Sequence, residues 1–433
     1  MSKSKLSKKS HSDTEKTEHC RGRRLLTIYF TQVRLSSYMS NATDTESLIS
    51  FRRDLHKHPE PAWCEFYTTA RLIEALNERN LDSIQFGPEI HAGDARNNVP
   101  DEQSLQQWRN RALEAGADPD TVKAIGDGFT GAIATLKQGD GPTIGLRVDI
   151  DALPIPEAET DDHIPAVEGF RSETDGYMHA CGHDVHTTIG LGVIDAVAKS
   201  SFQGTLKVIF QPGEEQIVGG KPIAESGHLD DIDALLAVHI GLDHPSGEIV
   251  AGIDGFLAVS QFRANFTGAP SHAGARPNEG NNAVQAMAAA IQNLYGISRH
   301  ADGETRVNAG LVGGGTATNI TPEEAFIEGE VRGETTELME YMVDRADTVI
   351  ESAAAMHDCT VDIERLGEAP SAVSDPELTS VVMAAAEKTP GVTSVIERDS
   401  LGGSEDATYL MQRVQDNGGA AAYVGVGTDH PGG

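Results

Sequence analysis

Four short runs of the chain are almost wholly apolar: Gly131-Ala-Ile-Ala-Thr-Leu136, Thr143-Ile-Gly-Leu-Arg-Val-Asp149, Leu206-Lys-Val-Ile-Phe210 and Ala234-Leu-Leu-Ala-Val-His239. Each has the length of a strand, and a nearly continuous apolar run is what a strand covered on both faces requires. Helical segments such as His183 to Lys199 separate them, so the chain must build an α/β sheet with helices packed on it.

The rest of the chain arranges itself around that sheet. From Thr45 to Asn80, apolar residues recur at helical spacing (Leu48, Ile49, Phe51, Leu55, then Leu72, Ile73, Leu76), and Pro59 and Pro61 break the stretch into two helices. Residues 87–127 are polar and read as an insertion. From about Gly255 to Leu366 the pattern becomes strand, helix, strand, strand, helix, strand, the split βαβ order of a ferredoxin-like domain. After Pro376 helix and strand resume, with Tyr423-Val-Gly-Val426 as a last strand. The expected division is an N-terminal extension (1–40), a mixed-sheet catalytic domain in two parts (41–253 and 369–433) and an inserted satellite domain (254–368). A chain of 433 residues is long enough for two or three domains at roughly 150 residues each.

Charge removes several classes of function. The chain carries 34 Lys and Arg against 66 Asp and Glu, a net charge of −32. That excludes the basic footprint a nucleic-acid-binding protein needs and disfavours anionic membranes. An acidic body with few aromatic residues is expected of a protein folding in molar salt, where the Debye length is only ~3 Å. The first 40 residues differ, with nine basic side chains and three acidic ones. Their short apolar stretch, Leu25 to Val33, falls well below the ~20 residues of a membrane span, and no signal-peptide cleavage pattern follows. Translation is expected to start at Met39, with residues 1–38 disordered or absent in the cell. The four cysteines (Cys20, Cys64, Cys181, Cys359) are too scattered for a disulfide framework, so a reduced cytoplasmic protein is expected.

The densest chemistry lies in Met178-His-Ala-Cys-Gly-His-Asp-Val-His186. Thiolate and imidazole together suit a borderline or soft divalent metal. Glu214-Glu215 follows the strand ending Ile209-Phe-Gln-Pro-Gly213, and adjacent carboxylates at a strand end can divide metal binding and proton transfer between them. Asp149 and Asp151 end another strand and His239 a third. Carboxyl ends of strands are where an open α/β sheet places its site. A lone histidine such as His239 is more often a satisfied core residue, but its place beside the other strand ends favours a ligand.

Arg52-Arg-Asp-Leu-His-Lys-His-Pro-Glu60, Asp149-Ile-Asp-Ala-Leu-Pro154, His179-Ala-Cys-Gly-His-Asp184 and Gln211-Pro-Gly-Glu-Glu215 occur in one order. In this the chain resembles the M20 family of metallopeptidases, in its amidohydrolase branch, from about residue 45 onward. The polar insertion ending Gly126-Asp-Gly-Phe-Thr-Gly131 and the segment Gly403-Ser-Glu-Asp-Ala-Thr408 resemble the members that cleave p-aminobenzoyl-glutamate. The resemblance implies an α/β catalytic domain with a βαββαβ satellite and a metal-dependent enzyme cleaving N-acyl or N-aroyl amino acids. The alternatives are a general aminoacylase or hippurate-type hydrolase, or a non-catalytic subunit of a hetero-oligomer. It further implies two divalent ions, Mn²⁺ or Zn²⁺, held by Cys181, His183, Glu215 and His239. Glu214 matches the general acid/base and Asp151 the carboxylate that supports the site. His272, in Ser271-His-Ala-Gly274, matches a histidine that reaches the neighbouring subunit's site, so a homodimer or a heterodimer with a homologous subunit is implied. Asn319 and Arg332 match positions that hold the substrate carboxylate, a task for which arginine's planar fork is suited.

The end of the chain departs from the pattern. Relatives supply a last metal ligand from a His-rich segment after the glycines at which this sequence stops, and His430, in Thr428-Asp-His-Pro-Gly-Gly433, precedes those glycines and does not match. The sequence is therefore expected to lack a ligand, a final element, or both.

Overall fold

The structure, a computed structural model, describes residues 42–429. The N-terminal extension and His430 lie outside the described residues. Helices α1 (Ala42–Lys57) and α2 (Phe66–Asn77) flank the Pro59/Pro61 break, and strand β1 (Ser83–Phe86) follows. The polar stretch folds into α3 (Glu102–Glu114) and α4 (Pro119–Ala124). Asp101 and Asp118 start these helices by accepting the Ser104 and Thr121 amides, which supplies acceptors for otherwise orphaned N–H groups. Their sparse apolar residues, Leu105, Ala112 and Val122, are buried against Phe66, Tyr67 and Ala70 of α2.

Next come β2 (Ala132–Lys137), β3 (Thr143–Asp149), the single turn α5 (Ile164–Val167), α6 (His183–Ala198) and β4 (Thr205–Gln211). The chain continues through α7 (Gly220–Ala224), β5 (Ala234–Ile240), β6 (Glu248–Val250) and β7 (Ile253–Asp254). The second unit is β8 (Ala258–Thr267), α8 (Ala283–Leu294), β9 (Thr305–Gly314), β10 (Glu324–Gly333), α9 (Thr336–Met356) and β11 (Thr360–Ala369). The last segment holds α10 (Pro376–Ala386), β12 (Ser394–Ile396), β13 (Asp399–Ser400), α11 (Ala407–Asp416) and β14 (Ala420–Val426).

The large sheet has eight strands in the order β1-β2-β4-β3-β5-β14-β6-β12. Its centre, β4, β3, β5 and β14, is parallel, and antiparallel pairings at β1/β2, β2/β4 and β14/β6 make it mixed. Alternation along β4 sends Leu206, Val208 and Phe210 into one apolar cluster and Ile209 into another. Both faces are therefore buried, as the unbroken apolar runs require. The small sheet runs β11-β8-β10-β9, antiparallel throughout, with α8 and α9 packed on it through Ala286, Ala290, Met342 and Ile350. With its βαββαβ order this is the ferredoxin-like arrangement, inserted into the chain between strands of the large sheet.

Candidate metal centre

Strands β3, β4 and β5 run in the same direction, so their carboxyl ends open on one edge of the sheet. Asp149 is the last residue of β3 and Asp151 lies two further on; Pro212-Gly-Glu-Glu215 follows β4; His239 is the penultimate residue of β5. The histidine-rich segment reaches the same edge through α6. Its first residue is His183, preceded by Gly182 at φ +80°, a left-handed conformation that costs an L-residue roughly 1–2 kcal/mol. Further along the helix, a Cβ at Gly190 would meet the Phe210 ring at 2.5 Å, so glycine lets α6 lie directly on β4.

The buried His183 ring is the centre of the site. Its Nδ1 faces Asp151 Oδ1 at 3.2 Å, which orients the ring. Its Nε2 has no hydrogen-bond partner, yet lies 3.6 Å from Asp149, 3.7 Å from Glu215 and 3.8 Å from Glu214. Although burial opposes it, the carboxylates of Asp149, Asp151 and Glu215 push His183 up to about 10. A position that draws a positive charge so strongly is one that a cation suits. Donor atoms of Cys181, His183 and Glu215 lie within 4.8 Å of one another, as do those of Asp149, His183 and Glu214, and those of His183, His186 and His239. Sulfur, nitrogen and oxygen donors in one cluster, buried at His183 and half-buried at Cys181, Glu215 and His239, fit a borderline divalent ion.

The two remaining histidines differ in what they can offer. His239 turns Nδ1 to the Ile240 carbonyl at 2.6 Å, which can only accept, so the lone pair sits on Nε2. Burial and the neighbouring His186 bring His239 down to about 4, leaving the neutral ring a ligand must have. His186 has both nitrogens engaged, Nδ1 with Asp149 and Nε2 with the Ile240 amide, and so supports the site without a free donor.

Beside the cluster, burial pushes the Glu214 carboxyl well above the usual range, and the charges of Glu405, Asp406, Asp149 and Glu215 add to it. Glu215 is pushed up to about 7, chiefly by burial. Behind them the fully buried Arg147 reaches Asp149 at 2.7 Å, Glu405 at 2.9 Å and Asp406 at 3.3 Å, while its Nε donates to Gln211. Local sequence offered little sign of this network. Arg147 read only as part of a strand, and Glu405 and Asp406 entered only within the Gly403–Thr408 segment that resembles relatives.

A cavity of about 340 Å³ opens over the cluster, reached by Cys181, Glu214, Glu215 and His239 on one side. Ile217, Val259 and Leu401 give it an apolar wall, and Arg332 comes in from β10. The Arg332 guanidinium is gripped by Glu330 at 2.8 and 3.1 Å and approaches Ser404 Oγ at 3.4 Å. Thus Asp151, Cys181, His183, Glu214, Glu215, His239 and Arg332 converge. His272 and Asn319 do not: both are exposed on the loops of the small sheet, joined by the Ala273 amide donating to the Asn319 carbonyl. His272 Nδ1 accepts the Gly274 and Ala275 amides at 3.2 and 3.1 Å, so a neutral ring carries its proton on the outward Nε2.

Residues 145–432 match the model of peptidase family M20/M25/M40. The chain is 40% identical over 386 residues to indole-3-acetyl-aspartic acid hydrolase of Enterobacter agglomerans, covering 88% of each protein. Over 385 residues it is also 40% identical to one of the subunits of p-aminobenzoyl-glutamate hydrolase from Escherichia coli K12, again 88% of each. Among solved structures it resembles an aminobenzoyl-glutamate utilization protein from Klebsiella pneumoniae (34% identity, TM-score 0.79, 89% of this chain and 92% of that one). A dinuclear metal-binding M20 peptidase from Bacillus subtilis is similar at 25% identity and a TM-score of 0.60, over 89% and 90% of the two chains.

Proposed function

The chain belongs to peptidase family M20/M25/M40 and is a metal-dependent amidohydrolase, and from that premise we propose that it hydrolyses the amide bond joining an aromatic acyl group to an acidic amino acid. p-Aminobenzoyl-glutamate is the leading substrate. The observation that carries this reading is the cavity: a donor cluster with Glu214 at one side, an apolar wall of Ile217, Val259 and Leu401, and the Arg332 guanidinium within one space. The two relatives at 40% identity support it, since their names share an aryl-bearing acyl group and a dicarboxylic amino acid.

In this reading Cys181, His183, Glu215 and His239 would hold two divalent ions, Mn²⁺ or Zn²⁺, which when bound supply Lewis-acid polarisation of the amide carbonyl and acidify water. Asp151 orients His183 through Nδ1. Glu214 is the general base and then the general acid. It takes a proton from the attacking water and returns it to the amine nitrogen as the C–N bond breaks, a task suited to a buried carboxyl with raised proton affinity. Arg332 pairs with a substrate carboxylate. His272, as an Nε2–H donor, and Asn319 serve the site of a second subunit, in a homodimer or with a homologous partner. The reading divides the chain into catalytic parts 41–253 and 369–433 around a satellite of 254–368, in a cytoplasmic protein adapted to molar salt. Among the described residues no helix is long and apolar enough to cross a membrane.

The test is release of p-aminobenzoate from p-aminobenzoyl-glutamate in 2 M KCl with added Mn²⁺, beside a Glu214→Gln control. Turnover that the control abolishes is the expected result. Inactivity toward this substrate with turnover of hippurate or N-acetyl amino acids would replace it with the general aminoacylase reading.

A further inference from the structure

Glu65 is a fully buried carboxyl to which the chemistry above gives no task. It stands immediately before α2 and contacts a segment 148 positions away, where its Oε1 accepts the Gly213 amide at 2.8 Å. Its Oε2 meets the Thr130 hydroxyl at 2.6 Å. Gly213, at φ +67°, is the residue before Glu214, and the turn it opens folds back on it: the Val218 and Gly219 amides both donate to the Gly213 carbonyl, at 3.1 and 3.3 Å. Two other carboxylates hold the same turn by backbone amides, Asp151 through Glu215 N at 3.0 Å and Asp406 through Gly220 N at 2.7 Å. Three buried acids from three distant segments therefore fix three amides of the loop between Gly213 and Gly220, and Glu65 fixes the residue on which the loop closes.

We propose that Glu65 is a positioning residue for Glu214: by holding the Gly213 amide it sets the direction in which the Glu214 carboxyl enters the cavity. This rests on the role given to Glu214 above. What the turn needs from Glu65 is a hydrogen-bond acceptor for Gly213 and a partner for Thr130. Burial, with the nearby Asp151 charge, pushes the Glu65 carboxyl well above its ordinary range. A neutral amide of the same shape serves equally, because Thr130 Oγ1 can accept as well as donate.

The experiment compares Glu65→Gln, Glu65→Leu and Thr130→Val with wild type in the full-length, Mn²⁺-loaded protein, by steady-state kinetics on p-aminobenzoyl-glutamate and by hydrogen exchange of the peptide covering residues 206–222. Glu65→Gln should keep kcat within about threefold and leave exchange unchanged. Glu65→Leu should lose roughly 100-fold in kcat, as a displacement of about 1 Å at a reacting group does. Its KM should stay within about threefold, and exchange should quicken at 213–219 but not in residues 258–369. Wild-type kcat and protection in Glu65→Leu would overturn the proposal, as would Glu65→Gln failing as badly as Glu65→Leu. Should Glu65→Leu not fold, Thr130→Val decides: lower kcat with faster exchange at 213–219 supports the role, and wild-type values refute it. If wild type releases no p-aminobenzoate, the substrate reading fails, while the exchange contrast still decides whether Glu65 holds the turn.

Discussion

Replacing Arg147 with methionine keeps most of the side chain's length and removes a guanidinium that is 0% exposed and faces three buried carboxylates. Breaking a buried ion pair by removing one partner costs about 3–5 kcal/mol, because the other charge is stranded. Three pairs do not triple that figure. Asp149 keeps His183 and His186 as neighbours, and Asp406 is already pushed up to about 8, first by burial, so it takes a proton instead of remaining a stranded anion. The expected loss is therefore that of one pair, about 3–5 kcal/mol at pH 7.5, read from urea unfolding followed by the fluorescence of the buried Trp63. The deficit should be equal in 0.2 and 2 M KCl, since buried pairs are little screened. Its pH dependence has a definite sign. A carboxyl whose folded pKa lies above its unfolded value binds its proton more tightly in the folded state, so the stability it contributes is lost as pH rises toward the folded value. Removing Arg147 raises Asp406 further, and the variant's deficit should grow between pH 6 and 9. A loss below about 1 kcal/mol, the range of an exposed pair, or a deficit that shrinks with rising pH, would refute the reasoning.

Glu214→Gln should lower kcat by about 10²–10⁴ with unchanged metal content by elemental analysis; loss of metal together with activity would make Glu214 a ligand instead. His91, held at about 4 chiefly by burial, should cost the fold about 3 kcal/mol as pH falls from 7 to 4, because the unfolded chain takes up a proton there that the folded one refuses. His91→Gln, which can still donate to the Thr130 carbonyl, should show a correspondingly shallower acid loss in a denaturation series, and an identical slope would sink the assignment. Dialysis from 2 M to 0.1 M KCl lengthens the Debye length from about 2 Å to about 10 Å and should lower Tm for a chain of net charge −32; an unchanged Tm would end the reading of adaptation to high salt.

Much of this protein is legible one segment at a time. The apolar runs that became β2 to β5, the break at Pro59 and Pro61, the βαββαβ order of the small sheet, and the strand-end places of Asp149, Glu214-Glu215 and His239 all depend on neighbours within a turn or a strand, where residue type and spacing carry the information. Which of those residues are free to act was decided by the tertiary structure. His186 shares a helix turn with His183, yet both its nitrogens are consumed by Asp149 and the Ile240 amide, while His239 keeps one lone pair. Arg332 enters the cavity, whereas His272 and Asn319 from the same unit remain on its exposed loops. Arg147 meets Asp406 across 259 positions, and Glu65 meets Gly213 across 148. A buried charge or amide must find its partner in space, and the order of strands in the sheet, with β3 between β4 and β5 and β14 beyond, determines which distant segment supplies it.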